Sequence, residues 1–182
     1  TYIREYESDF MGDTISCLAV GDLDDEPGNE VLMGTYNGRV YVYKYADGKY
    51  RRWCRALQEP GAWFDSLLVG DLNGDQSIEL VAVDGGLRYI DLNVHSYWRS
   101  WKYHTNVYVM RYENSNYHRV AHLQIDNMSP VVADLGATAG AGELEIVLSA
   151  QTYEVIQQGP YWTYEDLCNV MVLGLRGNSL AV

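Results

Sequence analysis

"CLAVGDLDDEPGNEVLMG", residues 17–34, decides how this chain folds. A run of small apolar residues ends in Gly21-Asp22-Leu23, an acidic stretch follows, and Glu30 opens a second apolar run. Residues 66–83, "SLLVGDLNGDQSIELVAV", repeat that order through Gly70-Asp71-Leu72, a polar loop and Glu79. Asp71 lies 49 residues after Asp22. A weaker copy, "SPVVADLGATAGAGELEIVLSA" at 129–150, puts Asp134 a further 63 residues on. Recurrence near 50 residues marks a propeller, a solenoid or an array, built from one supersecondary unit per copy.

Each unit reads as antiparallel strands. In "RVYVYKY", residues 39–45, Val40 and Val42 alternate with Tyr41 and Tyr43, the period of a strand with two unlike faces. Asn37-Gly38 and Asp47-Gly48 are hairpin turns on either side of it. The second unit is expected to run "SLLVGDL", "IELVAV", a Gly85-Gly86 turn, "LRYIDL" and "SYWRSWKY". A further hairpin around Glu113–Asn116 reads as an insertion or as the outer half of an eroded unit. The units fall at about 12–58, 62–122 (extra hairpin 106–123) and 128–168, with a partial unit at 169–182. No stretch shows a convincing helical period, so the chain is expected to be all-β and a single segment over 1–182.

Composition narrows the function. The 182 residues carry a net charge of −12, which repels the phosphates of nucleic acid and suits a binder of divalent cations or a salty medium. No apolar run approaches the ~18 residues that would span a membrane as a helix. The opening Thr1 reads as a mature or trimmed chain, so a missing leader carries no location. Cys17, Cys54 and Cys168 are an odd number at spacings that fit no zinc site. Tyr and Trp number 16 and 5 against 2 Phe, a balance that suits half-exposed β surface and sugar or protein contacts.

Crowded carboxylates repel unless solvent or a cation relieves them. Counting from Asp22, alternate positions give Asp24, Glu26, Gly28 and Glu30; counting from Asp71 they give Asn73, Asp75, Ser77 and Glu79. A tight loop turns alternate oxygens towards one centre, and six or seven oxygens suit Ca²⁺. Neither loop holds His or Cys, which argues against zinc and copper. The third loop keeps Asp134 but puts Gly, Thr and Ala where ligands belong and is three residues longer, so it is expected to bind no metal. A solvated acidic turn is the competing reading.

"VGDLDDEPGNEVLMGTYNGRVYVYKY" and "VGDLNGDQSIELVAV" resemble FG-GAP or VCBS repeats, the blades of integrin α-like β-propellers. The resemblance implies four-stranded antiparallel blades, about three here, in a ring that this chain alone leaves incomplete. It implies calcium on Asp22, Asp24, Glu26 and Glu30, and on Asp71, Asn73, Asp75 and Glu79. Glu at the ninth position, where integrins carry Asp, and Glu26-Pro27 in place of Asp-Gly are departures from the family pattern. The implied role is a non-catalytic, calcium-stabilised module binding protein or carbohydrate, or a structural assembly, at the cell surface or outside it. A polysaccharide lyase of propeller type and a cytoplasmic scaffold subunit are the alternatives. The expected partners are a protein or glycan, with neighbouring subunits or further blades completing the ring.

Other candidates carry less. His118 and His122 sit four apart on a strand, ~13 Å, too far to share an ion. The glycine-rich "GATAGAGE" lacks a following Lys-Ser/Thr, and no Gly-x-Ser-x-Gly elbow exists. Tyr97, Trp98, Trp101 and Tyr103 form a candidate binding surface, with core packing as the plainer reading. Asn127-Met128-Ser129 is a glycosylation sequon if the chain is secreted, weakened by Pro130.

Overall fold

The computed structural model describes residues 12–24, 26–85, 87–90, 100–126, 129–136, 144–158, 161–176 and 179–181. Every regular element among them is a strand, and the strands pair antiparallel into three open sheets. The first sheet runs β1 (Ile15–Gly21), β2 (Glu30–Thr35), β3 (Arg39–Ala46) and β4 (Lys49–Gln58) in chain order. The second contains β5 (Phe64–Gly70), β6 (Glu79–Asp84), β7 (Leu87–Ile90), β8 (Ser100–Glu113) and β9 (Asn116–Asp126). The third runs β10 (Ser129–Gly136), β11 (Glu145–Gln158), β12 (Tyr161–Arg176) and β13 (Ser179–Ala181).

Turn chemistry sets the hairpins. Asp47 and Gly48, at φ 53° and 81°, both take the left-handed conformation that a tight β3–β4 turn requires. Asn114 and Ser115, at 51° and 67°, do the same between β8 and β9 without a glycine.

The second sheet departs from the sequence reading. Gly85-Gly86 makes no hairpin: Asp84 pairs with Asn106 and Leu87 with Tyr103, so β6 and β7 follow one register along β8. The chain therefore turns back only beyond Ile90, and the hairpin expected as an extra at 106–123 supplies the third and fourth strands of this sheet. Two glycines looked like a turn, but a sheet register kept on both sides of them outweighs that local signal. The third sheet has a similar extension, with β11 and β12 paired from Ile146–Leu173 out to Gln158–Tyr161.

The sheets stack face to face through their first strands, β5 lying against β1 on one side and β10 on the other. Strand alternation divides the core into two layers. Leu80 and Ala82 of β6 join Leu32, Val40, Val42, Phe64 and Tyr108 between the first and second sheets. Val81 and Val83 point the other way, to Ile146, Leu148 and Leu173 of the third sheet. All of β6 is buried, which is why its centre, "LVAV" at 80–83, reads as a continuous apolar run. Each such Val or Leu withdrawn from water contributes about 1.5–3 kcal/mol. Close approach is set at the glycine ahead of the first two Asp-Leu pairs. A Cβ on Gly70 would lie 2.6 Å from Leu144 Cδ1 and 2.9 Å from Leu135 Cδ1, and one on Gly21 would run into Val69.

Candidate metal centre

The β1–β2 and β5–β6 connections share one device. The ninth-position glutamate is buried and accepts a hydrogen bond from the second-position amide: Leu23 N to Glu30 Oε2 at 2.8 Å, and Leu72 N to Glu79 Oε2 at 2.9 Å. This bond closes each loop and satisfies an amide that would otherwise be buried unpaired.

In the first loop the carboxylate oxygens of Asp22, Asp24 and Glu30 lie within 4.8 Å of one another. Glu26 is turned elsewhere: Lys44 Nζ reaches its Oε2 at 3.2 Å and also holds Asp24 Oδ2. The Lys44 ammonium also sits 3.8 Å from the centre of the Trp53 ring. Burial pushes the Glu30 carboxyl above its ordinary range, and the charges of Asp22 and Glu26 add to this against the Leu23 hydrogen bond. Burial also lowers the Lys44 pKa. Gly28 takes φ 118°, a conformation open to glycine, at the turn back towards Glu30.

The second loop is tied differently. Asp71 accepts from Gly74 N and Gln76 N, both at 2.8 Å, with its two oxygens. Asn73 Oδ1 accepts from Asp75 N at 3.1 Å, and Asp75 Oδ1 from Ser77 N at 2.8 Å. Arg111, opposite Glu79 in the ladder, donates from Nε to Glu79 Oε1 at 2.9 Å and places Nη2 3.1 Å from Asp75 Oδ2. Burial works against ionisation of Asp75, but the Ser77 amide, Asn73 and Arg111 outweigh it and hold its pKa low. Among the described residues no three metal-ligating groups converge in this loop.

In the third sheet Glu145 holds the ninth-position place, and the residue opposite it, one step past the Ile146–Leu173 pair, is Gly174. Glu145 Oε2 is buried without a hydrogen bond. The side chain of Asp134 and residues 137–143 lie outside the described residues.

An all-oxygen set of three gathered carboxylates fits a hard divalent cation in the first loop, with Asp22, Asp24 and Glu30 as holders. In the second loop the Arg111 guanidinium lies among the carboxylates of Asp75 and Glu79. Sequence reasoning missed both resident cations. Their signal is a shared pattern on the third strand, Val42-Tyr43-Lys44-Tyr45 and Val109-Met110-Arg111-Tyr112, against Val172-Leu173-Gly174-Leu175 in the third copy.

Trp101 and Tyr103 fall on β8 opposite Tyr89 and Leu87, whereas Tyr97, Trp98 and Asn127 lie outside the described residues. His122 stacks on Tyr108 at 4.7 Å and approaches Asn106 Oδ1 at 3.1 Å, with burial and Arg119 lowering its pKa. His104 Nδ1 meets Asp126 Oδ1 at 2.7 Å. Cys17 and Cys54 are free thiols, each pushed up to about 11, by burial above all. No described helix is long and apolar enough to cross a membrane. Family models, curated proteins and solved structures offer no match to this chain.

Proposed function

We propose that the chain is a non-catalytic segment of a β-propeller, a binding or structural module whose three sheets act as successive blades and whose first loop takes a calcium ion. One observation carries the reading: the glutamate-to-amide closure recurs in consecutive sheets whose first strands lie side by side. That arrangement is expected where blades pack around a common axis with their first strands innermost. The resemblance to FG-GAP and VCBS repeats agrees with it and favours a setting at the cell surface or outside the cell, with a protein or glycan partner.

Calcium belongs to the first loop alone in this proposal. There a cation relieves the repulsion among Asp22, Asp24 and Glu30, a task that Arg111 performs in the second loop. Calorimetric titration with Ca²⁺ tests it. Binding of one ion per chain, lost in Asp22→Asn and kept in Asp71→Asn, is the expected result. Absence of heat with a folded chain would remove calcium from the proposal, and unsaturated products from acidic polysaccharides would replace the module with a lyase.

A further inference from the structure

One pair of aromatic rings is left on the surface. Tyr36, in the turn between β2 and β3, and Trp63, in the connection from β4 to β5, pack edge to face with ring centres 4.3 Å apart and planes at 71°. They are 44% and 45% exposed, and no other ring pair among the described residues has both members exposed. The pair lies at the end of the sheets opposite the acidic loops. We propose that Tyr36 and Trp63 form a subsite for one ring of a neutral sugar chain. The proposal rests on the binding role given to the module above and narrows its partner to a glycan; it does not rest on calcium.

Backbone bonds hold both rings in place. Trp63 N donates to Asp84 Oδ1 at 2.9 Å, and Trp63 O accepts from Gly85 N at 3.2 Å. Tyr36 N donates to Thr14 O at 3.1 Å, and the two turns are tied together by Glu59 N donating to Gly38 O at 2.8 Å. Gly38 permits that approach: it takes φ 70°, and a Cβ there would run into Glu59 O. Rings fixed on such turns lose little conformational freedom when a ligand arrives.

The geometry selects a sugar. A pyranose carries a face of weakly positive C–H groups, which meets the negative face of an aromatic ring, and a rim of hydroxyls. With the planes at 71°, a flat ligand stacked on one ring meets the other as a wall. The larger indole is the platform and Tyr36 the wall. Hydroxyl partners adjoin Tyr36 in the chain. Asn37 is exposed and donates from Nδ2 to Asp13 Oδ1 at 2.6 Å, which leaves its carbonyl oxygen to accept from a hydroxyl. Arg39 Nη1 lies 3.4 Å from Asp13 Oδ2, and the guanidinium has further N–H donors.

Size and charge fix the class. Two half-exposed rings offer roughly 200 Å², far below the ~800 Å² a side of a stable protein interface. The net charge of −12 repels acidic polysaccharides, and Asp13 already neutralises Arg39, the cation beside the pair. A neutral chain is what remains.

The test is calorimetric titration of the 182-residue chain with neutral hexasaccharides of glucose, mannose and galactose. A hyaluronan hexasaccharide serves as the anionic probe and a proline-rich peptide as the protein probe. At least one neutral hexasaccharide should bind. Trp63→Ala should weaken it about tenfold, Tyr36→Ala less, and Trp63→Phe should keep part of the affinity. Tyr45→Ala, an exposed ring at the other end of the first sheet, should change nothing. Both subsite positions are exposed, and circular dichroism checks that each variant folds. A folded chain that binds no neutral hexasaccharide, binding indifferent to Trp63→Ala, or tighter binding of hyaluronan or the peptide would overturn the proposal. Calcium titration of the same samples reads the module proposal separately, so sugar binding that fails where calcium binds strikes the subsite alone.

Discussion

Arg111 stands opposite Glu79 in the β6–β8 ladder and donates to its Oε1 at 2.9 Å. Lys44 stands opposite Glu30, one step beyond the Val31–Tyr43 pair. The two acidic connections are thus bound to the third strand of their own sheet by a resident cation. The arginine fork reaches Asp75 and Glu79 together, whereas the lysine takes Asp24 and Glu26 and leaves Glu30 to the cluster.

Lys44 competes with any metal for Asp24. Lys44→Met should lower stability in chelator and tighten calcium binding, because the carboxylates lose their internal counter-ion. Saturation at about a hundred times Kd should then stabilise the chain by about 2.7 kcal/mol, read as a rise in melting temperature. Unchanged affinity in Lys44→Met would mean that the two cations do not share a site.

Removing Glu79 should be costly. Its side chain is fully buried, and Glu79→Ala leaves the Leu72 amide without its acceptor and takes from Arg111 its buried partner, leaving the more exposed Asp75. Loss of a buried partner of this kind costs about 3 kcal/mol, measurable by urea unfolding. Glu145→Gln should cost little by comparison, since Glu145 Oε2 has no hydrogen bond to lose.

Glu30 should make the metal-free protein sensitive to pH. Burial raises its pKa in the fold above the unfolded value, so the folded state holds the proton more tightly. Its contribution to stability is full below the unfolded pKa, about 4.3, and declines as pH rises through the elevated folded value. Glu30→Gln keeps an acceptor for Leu23 and should flatten this part of the profile in chelator. An unaltered slope would assign the dependence to another group.

Gly70→Ala should destabilise by about 1–3 kcal/mol, because the added methyl overlaps Leu144 and Leu135 of the third sheet. Leu18→Ala, on the face of β1 turned away from the first core layer, trims a side chain that is 60% exposed. Its effect should be smaller, and thermal unfolding of the two variants side by side reads the difference.

The alternation in "RVYVYKY", the Asn37-Gly38 and Asp47-Gly48 turns and the recurring Gly-Asp-Leu specify strands and hairpins by themselves, because face alternation and left-handed turn residues act over a few positions. They also single out the two loops, since crowded carboxylates are visible in one dimension. Tertiary structure alone decided the rest. Pairing with β8, more than a dozen residues later, holds β6 and β7 in one register on either side of the two glycines. The internal cations of the two loops, Lys44 and Arg111, lie 18 and 36 residues beyond Glu26 and Asp75 in the sequence. Charge neutralisation depends on distance in space, and only the β2–β3 and β6–β8 ladders brought those cations to the carboxylates.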